Sequence, residues 1–149
     1  MLLAEVFNKN LIKLDLESRD KDAVFDELVG EILAVKPELD GEEILAAIHD
    51  RELKMVTSVA PGVAVPHGYF RGLNGIIGAL GFSRRGIEYG SRDNKPVHLV
   101  FMVLLGEGAR ERHLHVLSRI LTFVKSGALS YIGEAESPQK AYDILCQAG

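Results

Sequence analysis

Cysteine is almost absent from this chain. Cys146 stands alone, so no intrachain disulfide can form, which fits a reducing compartment. Without cysteine clusters, a zinc-type metal site has no ready set of ligands. Long apolar runs are missing too. The longest, Val97 to Leu105, is interrupted by His98 and falls far short of the ~20 residues that span a bilayer. The first ten residues lack both the basic start and the extended apolar core of a signal peptide. Together these absences lead us to expect a cytoplasmic protein with no membrane insertion. Excess positive charge is also lacking. Lys plus Arg is 17 against 21 for Asp plus Glu, a net charge of −4. A chain-wide basic field for gripping nucleic acid is therefore excluded. No P-loop, dinucleotide-binding glycine fingerprint or nucleophile elbow occurs, so no cofactor is expected.

What remains is an ordinary globular composition. The chain has 149 residues, with 47% hydrophobic and 26% charged, which suits one domain over residues 1–149. Ile12, Leu14 and Leu16 alternate with Lys13 and Asp15, which predicts a half-buried strand over residues 11–16. Ser18 or Asp20 can cap the helix that follows, where Val24, Phe25, Leu28, Val29, Ile32 and Leu33 recur at helical spacing until Pro37. Asp40 opens a second helix with Ile44, Leu45 and Ile48 facing inward. Val63 to Val65 and Ile76 to Phe82 predict strands, and Val97 to Leu105 reads as a central strand buried on both faces. Leu114, Leu117, Ile120, Leu121 and Val124 outline a third helix. Ser137 and Pro138 begin a last one, with Ala141, Ile144 and Leu145 inward. The order of elements predicts an α/β fold: a mixed sheet of about five strands with helices on both faces, a three-layer sandwich.

Five histidines are the main carriers of chemistry: His49, His67, His98, His113 and His115. His49 reads as a surface-edge residue and His98 as a hydrogen-bonded histidine in a strand. His113 and His115 lie two apart on a helix, a turn of about 200°, so they face nearly opposite ways and do not form a metal pair. His67 differs. Pro66 removes a backbone donor and holds Val65 extended, while Gly68 permits a turn just after the imidazole. A Pro-His-Gly tripeptide alone is equally the mark of a plain turn.

The surroundings are more specific. Arg51, Glu52, Thr57, Gly62, Ala64, Pro66, His67 and Gly68 stand at spacings that resemble, without a gap, the active-site signature of the enzyme IIA domains of the bacterial phosphoenolpyruvate-dependent sugar phosphotransferase system. The type resembled is the fructose/mannitol one, which includes the nitrogen-regulatory IIA proteins. The segment from Lys95 to Phe101 resembles the family's central strand. The segment from His113 to Ile120 resembles its helix bearing a second histidine. The chain departs from the family pattern at Val56, Ser58, Ala60 and Pro61, and the loop from Gly106 to Arg112 is its own.

The resemblance implies that His67 accepts the phosphoryl group, that His113 assists, and that Arg51 and Thr57 stabilise the phosphate. It implies the histidine-containing phosphocarrier protein as donor, and a IIB component or a regulatory protein as the downstream partner. No fused IIB or membrane IIC segment is seen, which tilts the expectation toward the nitrogen-regulatory branch. The chemistry suits these residue types. A neutral imidazole attacks phosphorus near its free pKa of ~6.5, and a guanidinium offers paired donors to the equatorial oxygens. Two alternatives stand beside this reading. One is a non-catalytic binding module acting on a transporter, kinase or transcription partner. The other is a small hydrolase using His67 and His113 as acid and base, for which no nucleophile or carboxylate pair is evident.

Overall fold

The computed structural model describes residues 2–148. In chain order its elements are α1 (Leu3–Val6), β1 (Ile12–Lys13) after a single 3-10 turn, α2 (Lys21–Val35), α3 (Gly41–Lys54), β2 (Ser58–Ala60), β3 (Val63–Ala64), β4 (His67–Asn74), β5 (Ile76–Ile87), β6 (Val97–Glu107), α4 (Arg110–Lys125), α5 (Ala128–Gly133) and α6 (Pro138–Ala148).

The centre is β6. Its residues Leu99, Phe101, Val103 and Leu105 enter one core, and Val100, Met102 and Leu104 enter the other. A strand apolar on both faces needs cover on both. α1, α4, α5 and α6 cover the first face, and α2 and α3 cover the second. Burying each large apolar side chain contributes about 1.5–3 kcal/mol, so β6 accounts for much of the folding drive. The sheet is mixed and has six strands, in the order β1-β5-β6-β3-β2. β4 pairs with β6 in parallel beyond β3, with His67 opposite Val103 and Tyr69 opposite Leu105. The expected α/β/α sandwich is therefore present, with six strands in place of about five.

Three local expectations need correction. The predicted strand over residues 11–16 pairs only at Ile12 and Lys13. Beyond them Leu14 packs into the first core and Leu16 into the second, so the backbone leaves the pleat. Second, the inward face of α4 is shifted. Val116, Ile120 and Phe123 are buried, whereas Leu114 is 77% exposed and Leu121 is 38% exposed. The buried stripe continues back through His113, which takes the position that an apolar residue would otherwise fill. Third, His67 does not end a strand at a turn; it starts β4. Gly68 is required for close approach, since a Cβ there would lie 2.9 Å from the backbone carbonyl carbon and oxygen of Ala47 in α3.

Helix starts follow the expected chemistry. The Asp20 carboxylate accepts from Ala23 N–H at 2.9 Å, and Asp40 accepts from Glu42 and Glu43. Ser18 is not the cap. Its hydroxyl donates to Glu27 at 2.6 Å, and Lys13 pairs with the same carboxylate at 2.9 Å. Burial opposes the Glu27 charge, but the Ser18 hydroxyl, Lys13 and the backbone N–H groups of Glu17 and Ser18 outweigh it and hold the pKa at about 2. That knot ties the segment after β1 to α2.

Candidate functional site

Pro66 separates β3 from β4 on the same side of β6. It has no N–H to give, but its carbonyl accepts from Val103 N–H at 2.9 Å. The chain therefore stays against β6 through the proline, and His67 begins the next paired stretch. The His67 ring folds back on its own backbone. Nδ1 lies 2.8 Å from the Val65 carbonyl oxygen. A carbonyl only accepts, so Nδ1 carries the proton and Nε2 keeps a lone pair. The residue is 8% exposed. Burial foremost, and also the positive charge of Arg51 and the neighbouring His113, hold its pKa below the ordinary histidine value, against the opposing pull of the Val65 hydrogen bond. His67 is accordingly a neutral imidazole at neutral pH.

His113 stands in the first turn of α4, on the same side of β4. The His67 and His113 ring centroids are 5.6 Å apart at an interplanar angle of 57°. Burial and then Arg51 lower the His113 pKa as well. Residues i and i+2 of a strand share a face, so Tyr69 sits beside His67. Its hydroxyl lies 3.0 Å from His113 Nδ1. His113 Nε2 is buried and has no hydrogen-bond partner. His115 points away, with Nε2 accepting from Arg119 Nε at 3.2 Å, as the two-residue spacing predicts.

Arg51 is placed by α3. Ala47 touches Gly68, and Arg51 lies one helical turn beyond Ala47 on the same face. Arg51 Nη1 donates to the Met55 carbonyl at 3.0 Å, which keeps the guanidinium at the helix end. Its charge acts on both imidazoles. The structure thus sets His67 beside His113, with Arg51 near enough for its charge to act on both.

Thr57 is differently engaged from what its expected role requires. Its hydroxyl donates to Glu52 Oε1 at 2.6 Å, and its N–H donates to Glu52 Oε2 at 3.0 Å. Tyr89, fully buried, lies 2.8 Å from the Thr57 hydroxyl and donates to Glu52 Oε1 at 3.2 Å. Lys21 of α2 completes the network, 3.1 Å from Glu52 Oε2 and 4.7 Å above the Tyr89 ring. Burial and the Glu52 charge push the Tyr89 pKa far up, so the phenol remains a donor. In this structure the Thr57 hydroxyl proton goes to Glu52, so the residue links the end of α3 to β2. Tyr69, Tyr89 and Lys21 were not anticipated. Tyr69 was discoverable had His67 been read as the start of a strand; Tyr89 and Lys21 arrive by long-range packing that leaves no local pattern.

Leu53 and Met55 lie near Arg51 in sequence and Leu114 follows His113, and with Tyr69 all four are at least half exposed. Among the described residues no helix is long and apolar enough to cross a membrane.

A histidine whose Nε2 makes no hydrogen bond, a second imidazole and a nearby guanidinium stand at one sheet edge, the parts a histidine phosphoryl carrier would need. Residues 5–148 match the family model described as "Phosphoenolpyruvate-dependent sugar phosphotransferase system, EIIA 2", and the chain belongs to that family. It is 35% identical over 148 residues to the "PTS system fructose-specific EIIABC component" of Bacillus subtilis, covering 99% of this chain and 23% of that protein. The chain thus spans about a quarter of that relative's length. It is 33% identical over 119 residues to a "Nitrogen regulatory protein" of Bradyrhizobium diazoefficiens, covering 77% of this chain and 78% of that one. Among solved structures it resembles the nitrogen regulatory protein IIA-Ntr of Neisseria meningitidis, with a TM-score of 0.86, 28% identity, and coverage of 96% and 98% of the two chains.

Proposed function

We propose that this protein accepts a phosphoryl group on Nε2 of His67 from the histidine-containing phosphocarrier protein and passes it on. The observation that carries this reading is the hydrogen bond from His67 Nδ1 to the Val65 carbonyl, which leaves Nε2 as the nucleophile. The Nε2 lone pair forms a bond to phosphorus while the donor's nitrogen–phosphorus bond breaks, and the donor imidazole leaves with that electron pair. No proton has to move. The positive charge that develops on the phosphorylated His67 ring strengthens its hydrogen bond to Val65. Arg51, and His113 as a donor, offset the charge on the phosphoryl oxygens. Thr57 acts through Glu52 by holding the end of α3 in place. The acceptor is a IIB component, or the phosphorylation state itself is the signal to a regulatory partner; the fructose-specific and nitrogen-regulatory relatives support both routes.

The test is incubation with phosphoenolpyruvate, enzyme I and the phosphocarrier, followed by intact-mass measurement. One acid-labile phosphoryl group is expected on the wild type and none on His67→Ala. An unlabelled wild type, or undiminished label on His67→Ala, overturns the reading.

A further inference from the structure

We propose that Tyr69 is a positioning residue that fixes His113 as its Nε2–H tautomer. Its consequence for transfer rests on the phosphoryl-carrier reading above; its geometry does not. The phenol oxygen lies 3.0 Å from His113 Nδ1, and the two rings meet edge to face at 5.5 Å and 85°. His113 has no other side-chain hydrogen bond among the described residues, because its Nε2 is buried without a partner. A neutral imidazole has one nitrogen that donates and one that accepts. The phenol is the better donor of the pair and the imidazole lone pair the better acceptor, so the Tyr69 O–H points at Nδ1. The remaining ring proton then sits on Nε2.

An orphaned buried N–H is unfavourable, and the arrangement persists where function uses it. The ring of His67 is 5.6 Å away, which places a phosphoryl oxygen carried on His67 within reach of that N–H. Tyr69 thereby prepares His113 as a donor before any phosphoryl group arrives. It touches neither phosphorus nor His67 Nε2 and acts only through His113. The β4 pleat supplies the alignment, since Tyr69 follows His67 by two residues.

The test uses Tyr69→Phe, which keeps the ring and its edge contact and removes only the hydroxyl. Nitrogen NMR on the unphosphorylated chain with labelled histidine reads the tautomer directly. Wild-type His113 is expected as Nε2–H, and Tyr69→Phe is expected to show a mixture. The initial rate of His67 labelling by phosphorylated phosphocarrier should fall about two- to tenfold in Tyr69→Phe, the range for loss of one hydrogen bond. The final stoichiometry should be unchanged. The double variant Tyr69→Phe/His113→Ala should label at the rate of His113→Ala alone. A wild-type His113 in the Nδ1–H form, or a tautomer unmoved by Tyr69→Phe, overturns the proposal. So does a Tyr69→Phe effect that survives in the His113→Ala background. If the wild type takes no label at all, the carrier reading falls, while the tautomer spectrum still decides the assignment of Tyr69.

Discussion

Replacing Glu52 with alanine should destabilise the protein by about 3–4 kcal/mol and, by removing a negative charge that acts on His67, lower that imidazole's pKa further. The magnitude follows from what the carboxylate satisfies. It accepts the Thr57 N–H, the Thr57 hydroxyl, the Tyr89 hydroxyl and the Lys21 ammonium. In Glu52→Ala, Lys21, whose side chain is 25% exposed, turns to water at little cost. Thr57 and Tyr89, 2.8 Å apart, keep one hydrogen bond between their hydroxyls. Two buried donors are then orphaned, the Thr57 N–H and one hydroxyl proton. Each costs about 1–3 kcal/mol, a large fraction of the ~5–15 kcal/mol that holds a domain folded. Glu52→Gln keeps the volume and one acceptor oxygen but turns an amide N–H₂ toward a donor, so a loss of about 2 kcal/mol is expected. Thr57→Ser keeps both bonds to Glu52 and should lose under about 1 kcal/mol, with labelling of His67 at the wild-type rate. The assay is urea unfolding followed by far-ultraviolet circular dichroism, since the chain contains no tryptophan. A Glu52→Ala loss below about 1 kcal/mol at unchanged m-value would refute the network as a strut. A Thr57→Val variant, which lacks the hydroxyl, that folds normally yet fails to take label would return the Thr57 hydroxyl to the phosphate.

Two further outcomes follow from the same geometry. Burial foremost, and with it the Arg51 charge, holds both imidazoles below their ordinary pKa, so Arg51→Gln should raise the titration midpoints of His67 and His113 part of the way back, read by NMR. The sign carries into labelling, because more of His67 is protonated at slightly acid pH and the rate falls off from a higher pH than in the wild type; midpoints that stay put or move down would contradict it. Gly68→Ala places a Cβ 2.9 Å from the Ala47 carbonyl carbon and oxygen, backbone that cannot rotate away. A loss of about 2–3 kcal/mol is expected, seen as a fall in melting temperature of roughly 5–10 °C, and a wild-type melting temperature would show that α3 and β4 are not pressed together there.

The architecture was legible because β6 is apolar on both faces, a pattern only a covered sheet satisfies, and because Asp20, Asp40 and Ser137 mark helix starts by side-chain chemistry alone. β4 was not legible. Gly68, Arg71 and Gly72 break its alternation, since one of its edges faces α3 closely and the other carries exposed residues. Missing β4 also hid Tyr69 and made Gly68 read as a turn residue. The α4 face was misread for a related reason. Leu114 and Leu121 are at helical spacing, yet the residues that pack are Val116, Ile120 and Phe123, with the half-buried His113 one turn before Val116.

The candidate site residues were named through the family resemblance, and that resemblance could not give the proton positions. These depend on Val65 and Tyr69, neither of which a chemical motif would single out. A backbone carbonyl two residues before His67 selects the nucleophilic nitrogen, and a phenol two residues after it meets the second histidine. Both flanking groups are set by the same short stretch of extended chain, interrupted only by Pro66. The proline gives up the N–H that a strand would use there, and its carbonyl still anchors the chain to Val103. Moving His67 one residue along β4 would turn its ring to the opposite face, toward α3 and away from His113. In the proposed mechanism the register of β4 against β6 therefore sets both tautomers, and with them which nitrogen attacks and which is left to donate.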